Sequence, residues 1–194
     1  MITRYSFSNN KISAILVDGY YIWVAYINGG TVYLDKVSIF NPYLRYFRAT
    51  FSVNEITRIK LSGDYLYLSV DSTNYIGIQV ERENPLTGYT YINKPVGITE
   101  KSIDLALDSN DLFLLIPGEE SGEYTKILKY DQSSLTLTTT IELSESGKEI
   151  TNSRTMTIDD ENNLWIATYT DPISLVKVYE ESGEIYSYEI WEIN

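Results

Sequence analysis

Residues 158–166, Ile-Asp-Asp-Glu-Asn-Asn-Leu-Trp-Ile, carry the pattern that decides the fold, because the chain contains this pattern four times. In each copy an apolar strand leads into a short turn of Asp, Ser, Gly or Asn, and a second strand built around an aromatic residue follows. The other copies are Val17–Val24 (VDGYYIWV), Leu61–Leu68 (LSGDYLYL) and Leu107–Leu114 (LDSNDLFL). The central aromatics, spaced by 44, 46 and 52 residues, are Trp23, Tyr67, Phe113 and Trp165.

Each copy continues with a variable hairpin, a third strand, a polar turn and a fourth strand. The third strands are predicted at Val32–Phe40, Tyr75–Glu81, Tyr124–Tyr130 and Leu175–Tyr179. The fourth strands are predicted at Tyr43–Phe51, Tyr89–Asn93, Leu135–Leu143 and Glu184–Trp191. The repeats span about residues 11–54, 55–99, 100–149 and 150–194. This period predicts one all-β domain, a four-bladed β-propeller with about four antiparallel strands per blade.

Two other arrangements of many short strands are open to such a sequence. A β-sandwich has no reason to repeat its turn chemistry at this period. An open stack of meanders would leave long exposed edges, which closure of the blades into a ring would remove. The segment Ile2–Phe7 alternates like one further strand within residues 1–10, and we expect it to pair with the last blade or with a neighbouring subunit.

The last copy resembles a known blade signature. Residues Asp159–Thr168 are similar to the signature of regulator-type and NHL-like propellers, in which an Asp-containing turn precedes Asn-Leu-Trp-Ile. The resemblance is fair in the third copy and loose in the first two, and the count of four blades is similar to that of hemopexin-like propellers. It implies the fold, and that fold supports enzymes, lectins and scaffolds alike.

Composition excludes several kinds of site. The chain has no Cys and no His, so disulfides, thiolate sites and His-based catalysis are ruled out. We find no nucleophile elbow, P-loop or dinucleotide fingerprint, and predict that the protein is not an enzyme and binds no cofactor. A glycosidase built on paired carboxylates is the catalytic alternative. The N-terminal residues lack a signal-peptide pattern and no stretch resembles a membrane span, which leaves a cytoplasmic or virion-associated protein as the expectation.

Charge is distributed unevenly along the chain. Residues 1–99 carry nine Lys and Arg against seven Asp and Glu, a net charge of +2, whereas residues 100–194 carry six against twenty, a net charge of −14. The acidic half disfavours nucleic acid and anionic membranes as partners. It serves either solubility alone or docking to a basic partner or to the near-neutral half of another copy.

Tyrosine is concentrated in the near-neutral half, where twelve of the 18 Tyr fall at or before Tyr91. Surface Tyr with interspersed Arg is typical of protein interfaces. The candidate binding residues are Tyr20, Tyr43, Arg45, Tyr46 and Arg48. Because Tyr also stacks on sugar rings, a carbohydrate site is the alternative, and the residues could simply fill strand positions.

Three further features have an ordinary structural interpretation beside a functional one. The four repeat aromatics are predicted to pack between neighbouring blades. The turns Asp108–Asp111 and Asp159–Asn162 offer oxygen ligands, so one weakly bound calcium ion in the central channel, where the blades converge, is the alternative to simple turn closure. The loops Ile116–Glu123 and Leu143–Ser153 are either a binding face or solvated insertions.

Taken together, these observations predict a non-catalytic binding or assembly subunit whose partner is another protein or a second copy of itself. Richness in Ile, Asn and Tyr without Cys or His is typical of an A/T-rich genome, and it favours a structural component of a phage or other virus.

Overall fold

The computed structural model describes residues 10–41, 44–119, 122–169, 172–182 and 185–193, and these form strands and turns with no helix. The strands are β1 Lys11–Asp18, β2 Tyr21–Asn28, β3 Thr31–Ser38, β4 Arg45–Phe51, β5 Glu55–Ser62, β6 Tyr65–Asp71, β7 Tyr75–Glu81, β8 Tyr89–Asn93, β9 Asp104–Leu107, β10 Asp111–Ile116, β11 Lys126–Asp131, β12 Leu137–Glu142, β13 Ser153–Ile158, β14 Leu164–Thr168, β15 Ile173–Ser182 and β16 Ile185–Ile193. They make four antiparallel sheets, each of four consecutive strands. The predicted all-β fold of four four-stranded blades is confirmed.

The repeated sequence pattern forms the first hairpin of each sheet. In the first two sheets a two-residue turn joins the strands, so that Asp18 pairs with Tyr21 and Ser62 with Tyr65. The first residue of each turn, Gly19 or Gly63, has a φ of 57° or 55°. Glycine occupies this position because the left-handed region costs it nothing, and the hairpin twist requires that region.

The corresponding turns of the third and fourth sheets are longer, and an aspartate closes each of them. Asp108 Oδ1 accepts hydrogen bonds from the backbone amides of Asn110 and Asp111, at 2.7 and 2.6 Å. Asp159 Oδ1 accepts from the amides of Glu161 and Asn163, at 3.0 and 2.8 Å. The acidic residues of the repeat therefore act as side-chain caps of their own turns.

Several strand ends differ from the sequence prediction. β3 ends at Ser38 rather than Phe40, β11 begins at Lys126 rather than Tyr124, and β12 begins at Leu137 rather than Leu135. Leu135 has a φ of 54° and its amide donates to the carbonyl of Asp131, which makes it a turn residue. The predicted strand Ile2–Phe7 and the first residue of the predicted fourth strand, Tyr43, lie outside the described residues.

The chain divides into two compact units, residues 1–94 (unit 1) and 95–194 (unit 2), each containing two sheets. In unit 1, Trp23 and Leu34 of the first sheet share one buried core with Ile56 and Ile78 of the second. In unit 2, Phe113 of the third sheet shares a core with residues of the fourth sheet such as Ile166. Burial of these apolar faces is the main source of stability in each unit. That the chain is one domain stays a prediction.

Polar contacts also join the two sheets inside each unit. In unit 1 the guanidinium of Arg82 donates twice to the carboxylate of Asp18, at 2.8 and 2.9 Å. In unit 2 the buried carboxylate of Asp104 accepts from the amide of Met156 at 3.0 Å and from the Thr155 hydroxyl. These bonds satisfy buried carboxylates, which would otherwise be costly to desolvate.

The long loop of unit 2, Leu143–Ser153, is anchored to the core. Leu143 and Ile150 are buried, and the amide of Ile150 donates to the carbonyl of Leu143 at 2.9 Å. Thr125 pairs with both residues through its backbone, at 2.9 and 2.7 Å. The described part of this loop is therefore packed structure rather than a wholly solvated insertion.

Candidate functional site

A β-bulge in β4, an edge strand of the first sheet, brings two arginines to the same face of that sheet. β4 pairs with β3 so that Arg48 opposes Asp35, but a β-bulge near Tyr46 shifts the register and places Arg45 opposite Val37. Without the bulge, residues three apart would point to opposite faces. With it, Arg45 and Arg48 both reach the carboxylate of Asp35.

The Asp35 carboxylate is fully buried and bonded to both arginines. Arg48 Nε lies 2.9 Å from Oδ1 and its Nη2 lies 3.1 Å from Oδ2, a bidentate arrangement. Arg45 Nε lies 2.8 Å from Oδ2. The Asp35 side chain is 0% exposed, whereas those of Arg45 and Arg48 are 45% and 38% exposed. Two cations share one carboxylate, so this cluster presents one net positive charge at the surface.

Two tyrosines complete the cluster. The rings of Tyr26 and Tyr33 stack with centroids 5.2 Å apart, and the Arg48 guanidinium lies 5.0 Å from the Tyr33 ring. The Tyr26 hydroxyl donates to Asp35 Oδ2 at 3.0 Å and accepts from Arg48. Burial, followed by the charge of Asp35, raises the pKa of Tyr26. The hydrogen bond to Asp35 raises the pKa of Arg48, which stays charged. These contacts fix the arginine side chains before any ligand arrives.

Exposed aromatic residues gather at one end of the same sheet. The rings of Tyr20, in the β1–β2 turn, and Phe40, after β3, lie 5.6 Å apart. They are 70% and 77% exposed, and Leu44 and Tyr46 are 45% and 53% exposed. Tyr46 makes an edge contact with Tyr21 at 5.0 Å. We call Tyr20, Phe40, Leu44 and Tyr46 the aromatic patch.

The first sheet thus carries four of the five candidate binding residues, Tyr20, Arg45, Tyr46 and Arg48, while Tyr43 lies outside the described residues. Sequence reasoning missed Asp35, which orders the arginines, and Phe40, which was assigned to a strand. The signal for Asp35 was present, since it is an acidic residue in the otherwise alternating strand Val32–Ser38.

The four repeat aromatics occupy equivalent strands but different environments. Trp23, Tyr67 and Phe113 are buried, whereas Trp165 is half-buried and contacts the exposed Trp191, with ring centroids 4.9 Å apart. Both repeat indoles donate to the aspartate of their own turn: Trp23 to Asp18 at 3.2 Å and Trp165 to Asp159 at 2.8 Å. The Tyr67 hydroxyl instead accepts from Gln79.

The calcium alternative rested on two acidic turns that lie in unit 2, and the catalytic alternative needs a pair of close carboxylates anywhere in the chain. Asp108, Asp111, Glu161 and Glu180 line a cleft of about 270 Å³ around Lys129, which lies 3.1 Å from Asp111. Burial opposes the charge of Lys129, but hydrogen bonds to Tyr186 and Asp111 raise its pKa, so the cation neutralises part of the cleft. Among the described residues no group of three or more acidic side chains has the geometry of a metal site.

A second group of carboxyls in unit 2 consists of Glu100 and Glu123, whose side chains share a hydrogen bond. Burial raises the pKa of Glu100, but backbone hydrogen bonds, Lys126 and a hydrogen bond with Glu123 together lower it. Neither residue lines the Lys129 cleft.

Within the described part of the chain no helix is long and apolar enough to cross a membrane.

Comparison with known proteins identifies the fold through structure and not through sequence. No protein-family model matches the chain, and no curated protein matches it. The WD40 repeats of RRP9 match with a TM-score of 0.66 and 12% identity, over 95% of this chain and 52% of that one. YCF48, solved bound to D1 peptide, matches with a TM-score of 0.56 and 8% identity, over 99% and 56%.

The Myxococcus xanthus glutaminyl cyclase matches with a TM-score of 0.52 and 14% identity, over 96% of this chain and 76% of the enzyme. From the coverages given above, this chain spans about half the length of the RRP9 and YCF48 chains. Together with the four-sheet topology, the matches confirm the propeller fold. At such low identity they leave the chemistry to be argued from the site.

Proposed function

We propose that this chain is a non-catalytic protein-binding module that contacts its partner through the aromatic patch and through Arg45 and Arg48 of the same sheet. The observation that carries the proposal is the contact between Tyr20 and Phe40, two rings that are mostly exposed. Large apolar side chains gathered in one exposed patch are typical of interaction sites, whereas isolated ones are ordinary.

The residue types of the surface suit a binding hot spot. Tyr and Arg are enriched among residues that dominate interface energies, because each combines a large contact area with directional hydrogen bonds. Asp35 fixes Arg45 and Arg48 in place, so less side-chain entropy is lost when a partner binds. The first sheet therefore offers both exposed apolar area and a preorganised cation.

The charge of this surface points to a partner that carries carboxylates. Two arginines on one aspartate leave a positive charge on the sheet that carries the aromatic patch, and guanidinium groups pair well with carboxylates. A second copy of the chain offers such groups, since residues 100–194 carry a net charge of −14. Self-association through unlike surfaces is therefore one form of the proposed function.

The fold similarity supports a protein partner in general terms. WD40 repeats are propellers, and YCF48 was solved with a bound peptide. Assignment to a phage or other virus is a finer proposal that rests on composition, and mass spectrometry of purified particles would test it.

A peptide array tests the proposal directly. Acidic peptides with and without aromatic residues are presented to the wild-type protein and to the double variant Tyr20→Ser/Phe40→Ser. We expect the bound peptides to be acidic and their binding to fall about tenfold or more in the double variant. Leu86→Ser is the matched control, because Leu86 is a 67% exposed apolar residue in the β7–β8 connection of the second sheet and not of the first. Binding that survives in the double variant, or its complete absence from the array, would count against the proposal.

The sugar-binding alternative places a carbohydrate on exposed tyrosines of the same sheet. Tyr46 is half-exposed, and its edge contact with Tyr21 leaves part of the ring available. A glycan array separates the two proposals: saturable binding that is lost in Tyr43→Ala or Tyr46→Ala would favour the carbohydrate.

A further inference from the structure

A second cleft in unit 1 lies at the opposite end of the first sheet from the aromatic patch. It has a volume of about 420 Å³ and is formed by the β2–β3 hairpin, the β4–β5 connection and the β6–β7 hairpin. The aromatic patch lies at the other end because the β1–β2 turn and the β3–β4 loop alternate with the β2–β3 hairpin in an antiparallel meander. The volume is in the range of small-molecule sites, which is roughly 300 to 1,000 Å³.

The lining of this cleft is polar but uncharged. Thr31, Thr50, Ser52 and Thr73 contribute hydroxyl groups and Asn74 contributes an amide, and none of the lining residues is ionisable. Within the described part of the chain, the hydroxyls of Thr31, Thr50 and Thr73 have no protein hydrogen-bond partner. Hydroxyl and amide groups both donate and accept, so the cleft matches a ligand whose own groups do the same.

The backbone around the cleft is fixed by bonds to neighbouring strands. The amide of Asn54 donates to the carbonyl of Asp71 at 2.8 Å, and the amide of Lys94 donates to the carbonyl of Asn74 at 2.9 Å. The amide of Ser52 donates to the Tyr91 hydroxyl at 3.3 Å. Groups held in this way lose little entropy on binding.

Apolar surface borders the same cleft. Phe51 and Val53 are among its lining residues, and Val53 supplies the accessible apolar surface because Phe51 is only 5% exposed. Phe51 contacts Tyr89, with ring centroids 5.4 Å apart, and Tyr89 contacts Tyr91 at 5.6 Å. A pyranose ring has hydroxyl groups at its rim and C–H groups on its faces, so it can use both kinds of surface at once.

Unit 2 provides an internal comparison. One of its clefts, of about 220 Å³, is formed by the β12–β13 connection, the β14–β15 hairpin and β16, and its lining includes Lys148, Glu149 and Glu192. Such a lining suits a charged ligand, whereas the unit 1 cleft offers no charge to pair with one.

We therefore infer that the unit 1 cleft is a binding site for a neutral sugar, recognised by the threonine hydroxyls and the Asn74 amide. This site is separate from the proposed protein-binding surface.

Saturation-transfer difference NMR with the 194-residue chain tests this inference. The ligands are the methyl pyranosides of glucose, galactose and mannose, together with N-acetylglucosamine and an oligosaccharide of each sugar that binds. Glucuronic acid is the charged comparison. We expect saturable binding of at least one neutral sugar, weaker binding of glucuronic acid, and a loss of affinity of about tenfold or more in Thr31→Val/Thr50→Val.

Matched variants make the result decisive. Thr140→Val removes an exposed strand hydroxyl from unit 2, and Tyr20→Ser/Phe40→Ser removes the aromatic patch. Both should leave sugar binding unchanged, so failure of the sugar site and failure of the protein-binding surface are distinguishable. Three results would overturn the inference: no saturation transfer from any neutral sugar, equal affinity for glucuronic acid, or full affinity in Thr31→Val/Thr50→Val when circular dichroism shows that this variant is folded.

Discussion

At the scale of single residues, aspartate has one recurring role in this chain, which is to accept hydrogen bonds at the ends of hairpins. Asp159 accepts from two backbone amides of its own turn and from the indole of Trp165, and Asp18 accepts from the indole of Trp23. In the first and fourth copies the repeated sequence pattern therefore has a local cause, because the turn aspartate and the tryptophan that follows it are bonded to each other.

Asp159 should make stability depend on pH in acid. Hydrogen bonds from Trp165 and Asn163 lower its pKa to about 2, whereas an unfolded aspartate titrates near 3.9. The carboxylate thus stabilises the fold fully above about pH 4, and this contribution is lost as the pH falls towards 2. Asp159→Asn should flatten the pH dependence in this window, as measured by urea unfolding between about pH 2 and pH 6.

Asp160→Asn is the control, since Asp160 accepts none of these bonds in the described structure. Asp131, whose pKa is also about 2 because of bonds from Ser133 and Ser134, titrates equally in both variants and cancels from the comparison. An unchanged slope in Asp159→Asn would show that the turn bonds do not differ between the folded and unfolded states.

Arg82→Ala should destabilise unit 1. The Asp18 side chain is only 6% exposed, and loss of Arg82 would leave its charge with the Trp23 indole as the remaining side-chain donor. We expect a loss of about 2 kcal/mol in unfolding free energy, less than for a fully buried pair because the Arg82 side chain is 33% exposed. Chemical denaturation would measure it, with Glu83→Ala, at an exposed position of the same unit, as the surface control expected within about 0.5 kcal/mol. Equal losses in the two variants would refute the role given to Arg82.

At the scale of elements, irregular backbone decides where side chains go. The bulge in β4 turns Arg45 to the side of Asp35, and the loop after β10 uses a glycine where no other residue fits. Gly118 has a φ of 65°, and a Cβ there would lie 2.5 Å from the backbone carbon of Tyr124. Both features lie at the edges of regular pairing, where one residue changes the direction of the chain.

Gly118→Ala should therefore cost more than an ordinary substitution of glycine. Gly122 is the matched control, with a φ of 84° and no atom within 4 Å of the position of a Cβ. We expect Gly122→Ala to cost about 1 kcal/mol from the backbone conformation alone, and Gly118→Ala to cost about 2–4 kcal/mol because the backbone of Tyr124 must also move. Thermal unfolding of the two variants under one set of conditions measures the difference. Similar losses would mean that the loop relaxes at no cost.

At the scale of the whole molecule, charge is separated between two units that are similar in topology. Unit 1 carries the aromatic patch and its positive cluster, and unit 2 carries most of the acidic residues. Such asymmetry favours contact between unlike surfaces of neighbouring copies over contact between like ones.

Self-association should accordingly weaken as salt is added. Sedimentation velocity at about 50 mM and about 500 mM salt should show oligomers that dissociate at the higher concentration, where charges are screened within a few ångströms. Arg45→Glu should weaken association at low salt, and Lys60→Glu, on β5, is the control for a simple change of net charge. A monomer at all protein concentrations would remove self-association from the proposed function, while the peptide array would still test other partners.

The sequence by itself determined the four-sheet repeat and most strand positions. Hairpin turns and alternating strands are local features, and four copies of one pattern reinforce one another, so β7 and β8 were predicted to the residue. Where the local conformation departs from the pattern, as at Leu135, the prediction of a strand end was wrong. The candidate binding residues were chosen by composition, because Tyr and Arg are typical of protein interfaces, and their role in binding stays a prediction.

Only the tertiary structure showed how these residues are arranged. A one-residue bulge reverses the face of every side chain beyond it, and no composition reveals it, so the convergence of Arg45 and Arg48 on Asp35 could not be predicted. The uncharged cleft of unit 1 likewise joins residues from three separate connections. Strand identity depends on neighbours in sequence, whereas a binding site depends on distances between residues that are far apart in the chain.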